Sequence, residues 1–260
     1  MRSFRVTDSG LKPARWNVAM TAALVELHHT GQIPDMLRFH RYHFSLLIGR
    51  NTMLSQEAGA SRLGLQRTEM ARRITDGAPI WVNPGILAFD LIADRSIADL
   101  HPGRAARRVR SGVVNGLRRL GLPARLGSLT DIEINGHKVF EASYRLDGPT
   151  FVFQGMIVVE AAAGALLREK NRRMPPFQRV ASIAEFLGRR SLIGEVTDVL
   201  VAGLAHELPC TSMANPLRDD EIALSNRLLA EKFGTDQFVL GRGLGSRDSM
   251  LDAQEGAFSN

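Results

Sequence analysis

The chain has 260 residues, 44% hydrophobic and 23% charged, with one cysteine and a formal net charge of +6. That length and balance suit a folded protein with a substantial core and argue against wholesale disorder. The single Cys210 excludes an internal disulfide framework, and no apolar run approaches the ~18 residues of a membrane span, so a cytoplasmic protein without membrane association is expected.

After a polar opening, apolar residues recur at helical spacing from Asn17 to Gly31, which predicts a helix with Asn17 as cap and Gly31 as stop. "DMLRFHRYHFSLLIGR" predicts two strands broken near Tyr42 and His43, with Arg38 and Arg50 at strand ends. A short helix is predicted over residues 55–65, a strand in "TEMARRI", and another in "GILAFDLIAD" beyond the Gly- and Pro-punctuated residues 76–85. A helix from about Arg104 to Leu120 would carry Ala105, Val109 and Val113 on its apolar face.

Asn135-Gly136, flanked by strand-like residues, predicts a hairpin, and "TFVFQGMIVVE" adds a further strand. From residue 179 the pattern becomes helical, through "GEVTDVLVAGLAHEL" and again in "RDDEIALSNRLLAEKFGT". These elements predict a body over residues 1–205, a C-terminal helical segment over 206–240 packed on it, and a flexible tail over 241–260. Strands joined by short turns point to an α+β fold with a mainly antiparallel central sheet flanked by helices.

The basic surplus favours an acidic partner. Its clusters, at Arg104, Arg107, Arg108 and Arg110 and at Lys170, Arg172 and Arg173, lack interleaved aromatics or a nucleic-acid-binding motif, so nucleic acid is disfavoured. No G-x-G-x-x-G follows a strand, and no Walker loop or G-x-S-x-G elbow occurs. The pairs His28-His29 and His40 with His43 lack metal-site spacing, and Cys210 has no identified base. Lys138, after the tight turn in "DIEINGHKVFEASYR", stands out, although that stretch alone reads as a solvated strand lysine.

Taken together, "LRFHRYHFSLLIGRN", "MARRITDGAPIWVNPGILAFDL", "DIEINGHKVFEASYR" and "FQGMIV" resemble the ordered motifs of the lipoate-protein ligase A family, from near Trp16 to about Phe238. The resemblance implies a biotin/lipoate protein ligase-like, class II synthetase-like catalytic domain. It also implies ATP and Mg2+, lipoate as substrate, an acyl-AMP intermediate, and an acceptor lysine on a lipoyl-carrier domain, with room for a separate accessory subunit. Lys138 would be the catalytic cation. Arg50, Arg72, Arg73, Thr75, Gly77, Ala78, Asp131 and Gly155 would bind substrate or nucleotide, with one of the two adjacent arginines structural.

The chain departs from the family where Thr-Gly-Gly-Gly-Ala is usual, reading Thr75, Asp76, Gly77, Ala78 and Pro79. It also places Phe140 and Glu141 where a small residue is usual after the lysine, Ile86 where Asn follows the loop's later glycine, and Gln154 in place of a His. Two alternatives stand beside the ligase. One is a lipoyl or octanoyl acyltransferase acting on a carrier domain, for which Cys210 should lie near Lys138; the other is a non-catalytic carrier-binding member.

Overall fold

The computed structural model describes residues 2–52, 68–98, 101–160, 180–190, 192–208 and 210–241. In chain order these form β1 (Arg2–Lys12), α1 (Ala14–His29), β2 (Met36–Tyr42), β3 (Ser45–Ile48), β4 (Glu69–Arg72), β5 (Ile80–Val82) and β6 (Ile86–Asp94). There follow α2 (Pro102–Arg119), β7 (Ala124–Leu126), β8 (Asp131–Ile134), β9 (His137–Asp147), β10 (Thr150–Val158), α3 (Ile183–Leu187) and α4 (Ile193–Glu207). The chain ends with β11 (Cys210–Ala214), α5 (Asp219–Leu228) and α6 (Asp236–Leu240). The helix expected over residues 55–65, the Lys170 cluster and the tail beyond residue 241 lie outside the described residues.

Every residue of β10 is buried, as is nearly all of β6, because both strands run mid-sheet with a covered face on each side. The large sheet has the order β11-β1-β2-β6-β10-β9-β8-β7, and β4-β3-β5 form a small second sheet. From β2 to β7 the neighbours pair antiparallel, whereas β1 pairs parallel with both β2 and β11. The α+β fold with a mainly antiparallel sheet is therefore present. What the sequence reading missed is β1, taken for a polar opening, and the short strands β5, β7 and β11.

One sheet face carries Phe89, Phe140, Phe151 and Phe153 against α2 and α4. Those two helices meet through glycine: a Cβ on Gly203 would collide with the backbone of Gly112 and Gly116. The opposite face receives α1, the small sheet and the C-terminal helices. Among the described residues no helix is long and apolar enough to cross a membrane.

Helix α1 begins at Pro13 without a side-chain cap of its own. The carboxylate of Glu69, from β4, accepts from the backbone N–H groups of Ala14 at 2.9 Å and Arg15 at 3.0 Å, placing negative charge where the helix dipole favours it. Asn17, expected as the cap, lies inside the helix. Its amide donates to Lys12 O and Arg41 O, and its Oδ1 accepts from Arg38 Nη2.

Arg38 sits mid-strand in β2, not at a strand end, and both it and Asp90 of β6 are 0% exposed. Arg38 Nη1 lies 3.1 Å from Asp90 Oδ2, which also accepts from Thr21 Oγ1 of α1 at 2.8 Å. Burial pushes the Asp90 carboxyl up and the Arg38 guanidinium down, and each offsets part of the other's shift by its opposite charge. Burial, then the charge of Arg38, holds nearby His40 well below the ordinary imidazole range, so it is neutral and shares a 2.9 Å hydrogen bond with Tyr42.

Because the pair is wholly buried, removing one partner leaves an uncompensated charge. Asp90→Ala is expected to lower unfolding free energy by about 3–5 kcal/mol in urea titrations, and Asp90→Leu combined with Arg38→Met to recover much of that loss. Equal losses for the single and double variants would show that the charge pair is not what holds β2, β6 and α1 together.

Candidate active site

The site grows from that buried pair toward the small sheet. Gln154 of β10 donates through Nε2 to Asp90 Oδ1 at 2.9 Å and accepts through Oε1 from Thr75 Oγ1 at 2.6 Å. Thr75 Oγ1 also lies 2.8 Å from Ser143 Oγ of β9. An ionised carboxylate only accepts, so the chain of donors runs from Ser143 through Thr75 and Gln154 to Asp90. Gln154, a departure from the family pattern, thus ties the loop after β4 to the sheet.

The loop over residues 73–79 is held from several directions. Arg73 N donates to Ile48 O, Arg50 N donates to Thr75 O, and Arg145 Nη1 of β9 donates to Ile74 O. Asp76, where the family has glycine, accepts from both the backbone N–H and the side-chain amide of Asn51. Gly77 has φ +124°, a conformation that side chains strongly disfavour, so this glycine is the one the loop cannot lose. Gly49 of "IGR" is glycine for another reason: a Cβ there would strike Gly77 O.

The adjacent arginines divide their work. Arg72 donates to the carbonyls of Gly49, Arg50, Thr52, Phe238 and Val239, so its guanidinium is spent fastening the loop after β3 to α6. Each of its three guanidinium nitrogens thus already donates to a backbone carbonyl. Arg73 is 2% exposed, donates from Nη2 to Ala78 O at 2.9 Å, and has a buried Nε with no partner among the described residues. Burial lowers its pKa, opposed first by the field of Glu141.

Lys138 owes its place to a β-bulge. In the β8–β9 hairpin, Ile132 faces Phe140 but Glu133 faces Lys138, which leaves Val139 as an extra residue. Residues three apart on a regular strand point to opposite faces. The bulge instead puts Lys138 and Glu141 on one face, with Nζ 2.8 Å from Glu141 Oε2 and 3.0 Å from Asp131 Oδ1. Asp131 is fixed in turn by the hydroxyls of Ser128 and Thr130. Burial alone would lower the Lys138 pKa, but the two carboxylates outweigh it and raise the value above the ordinary lysine range. The turn itself is as predicted, with Asn135 at φ 50° and Gly136 at φ 77°.

Of the expected site residues, Arg73, Thr75, Gly77 and Ala78 share one loop, and Lys138 and Asp131 share one hairpin, joined to that loop through Ser143 and Arg145. Arg50 stands beside them through its backbone. Gly155 does not open onto this site. Its vacant side points to the other sheet face, where a Cβ would lie 2.6 Å from the Phe89 ring, so it is a packing glycine. Asp90, Ser143 and Glu141 were not singled out as site residues. One charge inside the apolar run "GILAFDLIAD" was the available signal for Asp90. Cys210 lies on the edge strand β11, five strand spacings from β9, or roughly 24 Å at ~4.8 Å each.

Comparison with known proteins gives the family and the shared fold. Residues 13–205 match the lipoyl protein ligase A/B catalytic domain. Lipoate-protein ligase A subunit 1 of Thermoplasma acidophilum is 25% identical over 87% of this chain and 92% of its own length. Octanoyltransferase LipM of Symbiobacterium thermophilum is 24% identical over 91% of this chain and 97% of its own. The fold is shared with a lipoate-protein ligase A crystallised with ATP, at TM-score 0.78 and 22% identity over 93% of this chain and 99% of that one. It is shared also with the bipartite lipoate protein ligase of Thermoplasma acidophilum, at TM-score 0.78 and 23% identity over 93% of this chain and 97% of that one. The matched span contains the relay, the residue 73–79 loop and the lysine hairpin, and the chain belongs to the lipoyl protein ligase A/B catalytic domain family.

Proposed function

We propose that the protein is an ATP-dependent ligase that activates lipoate, or a related acyl acid, as an acyl-adenylate and attaches it to a lysine of a lipoyl-carrier domain in the cytoplasm. The observation that carries this reading is a lysine held charged by two carboxylates, near a buried arginine whose Nε has no partner among the described residues. In the first half-reaction a ligand carboxylate oxygen bonds to the α-phosphorus of ATP and pyrophosphate leaves. In the second, the acceptor amine attacks the acyl carbonyl and AMP leaves. Lys138 and Arg73 offset the charge on the phosphate oxygens in both.

The ion pairs of Lys138 with Asp131 and Glu141, which raise its pKa, support the role of a fixed cation over that of a base at neutral pH. Asp131 positions Lys138, and Arg50, Thr75, Gly77 and Ala78 form the wall around the ligand. Among the described residues no group of three or more His, Cys, Asp or Glu side chains could hold a metal. On this reading Mg2+ arrives with the nucleotide phosphates, a common mode for this ion. The bipartite relative, whose structure was described with its E2 lipoyl domain, supports a carrier-domain acceptor and an accessory subunit.

The relatives named octanoyltransferase favour a second reading, acyl transfer between carriers without ATP. A thiol acyl-enzyme at Lys138 would need Cys210, and its place on β11 argues against that route.

Purified protein given ATP, magnesium and lipoate, with an apo carrier domain and a candidate accessory subunit, is expected to release pyrophosphate and add a lipoyl mass to the carrier. Lys138→Ala should lower that release about 100-fold or more. Carrier modification from an octanoyl-carrier donor without ATP, with no pyrophosphate from any acid, would replace the ligase by the transferase.

A second test concerns stability. Lys138 has a folded pKa above its unfolded value of about 10.4, so its contribution is full below that pH and lost as pH rises through the folded pKa. The stability gap between the protein and Lys138→Met should stay level from pH 7 to 9 and shrink above about pH 10. A gap that closes below pH 9 would mean that Lys138 is not held charged.

A further inference from the structure

We infer that Glu141 is an internal counter-anion that competes with an anionic ligand for Lys138 and Arg73, and so sets how weakly the site holds that ligand. The inference rests on the ligase reading above. The bulge at Val139 turns Glu141 onto the face that carries Lys138, and its Oε2 lies 2.8 Å from Nζ. Glu141 is thus bonded to Lys138, and its charge also opposes the effect of burial on Arg73.

The two carboxylates on Lys138 are not equivalent. Asp131 is 4% exposed and accepts from Ser128 and Thr130, so it keeps its place and partners whatever Lys138 does. The Glu141 side chain is 31% exposed, and among the described residues its ion-pair partner is Lys138. Glu141 can swing to water when a phosphate or carboxylate oxygen takes over the Lys138 N–H, because the two bonds are of the same charge-assisted kind. Lys138 and Arg73 balance Asp131 and Glu141 in formal charge, so an incoming anion meets a neutral cluster until Glu141 leaves. Without that carboxylate the cluster carries one net positive charge.

Calorimetric titration of Mg-ATP into the protein and its variants tests this. Glu141→Gln should lower the Kd about five- to tenfold, while Asp131→Asn, which loosens the fixed support of Lys138, should raise it. Opposite signs identify a competitor, because two merely structural partners of Lys138 would both weaken binding when neutralised. Thermal unfolding of each variant monitors the fold, and Glu141→Ala gives a second route to the same readout if the glutamine disturbs it. An unchanged or raised Kd in both Glu141 variants would overturn the inference and leave the ligase reading standing. Absence of Mg-ATP binding by the unaltered protein, with lipoate present, would instead sink the ligase reading and the inference with it.

Discussion

A buried carboxylate must find all its partners inside the protein, and Asp90 imposes that requirement on most of the molecule. It takes a guanidinium from β2, a hydroxyl from α1 and an amide from β10, and through that amide it fixes Thr75 and Ser143. Each partner sits on a different element, so one oxygen pair sets the spacing of the sheet's centre, the covering helix and the site loop. Pairs of this kind add little net stability compared with apolar packing, but they penalise any arrangement that leaves a member unpaired. The placement of the site loop is thus a by-product of satisfying the core.

Four basic side chains show how context decides the use of one charge type. Arg38 is consumed by the core and Arg72 by backbone carbonyls of the loop after β3 and of α6. Arg73 retains a buried Nε with no partner among the described residues, and Lys138 is held charged by carboxylates. On the proposed function it is the last two that stabilise charge arriving with a ligand, since a donor already committed to a buried carbonyl gives up that bond at a cost of about 1–3 kcal/mol.

Much of this was legible in the residues. The Asn135-Gly136 turn, the strands at Ile86–Asp94 and Thr150–Val158 and the helix at Pro102–Arg119 follow from turn chemistry and periodicity, which are local. Lys138 and the arginine pair were singled out through the order of their motifs, and Arg72 is the one whose guanidinium is taken up by backbone carbonyls. Strand β1 was missed because it reads as polar while Arg5 and Thr7 are buried in it, Arg5 being doubly bonded to Glu221 of α5, far along the chain. The bulge at Val139 carries no glycine to announce it, yet it alone puts Glu141 beside Lys138. Asn17 read as a cap because asparagine favours caps; here Arg38 recruits its side chain into the core.

On the proposed function, a ligand phosphate is held between the loop of Arg73 and the hairpin of Lys138. A crystal structure with a non-hydrolysable lipoyl-adenylate analogue tests it most directly. The predicted result is phosphate oxygens about 3 Å from both Lys138 Nζ and the Arg73 guanidinium. An adenylate bound elsewhere, with Lys138 still closed on Asp131 and Glu141, would contradict it.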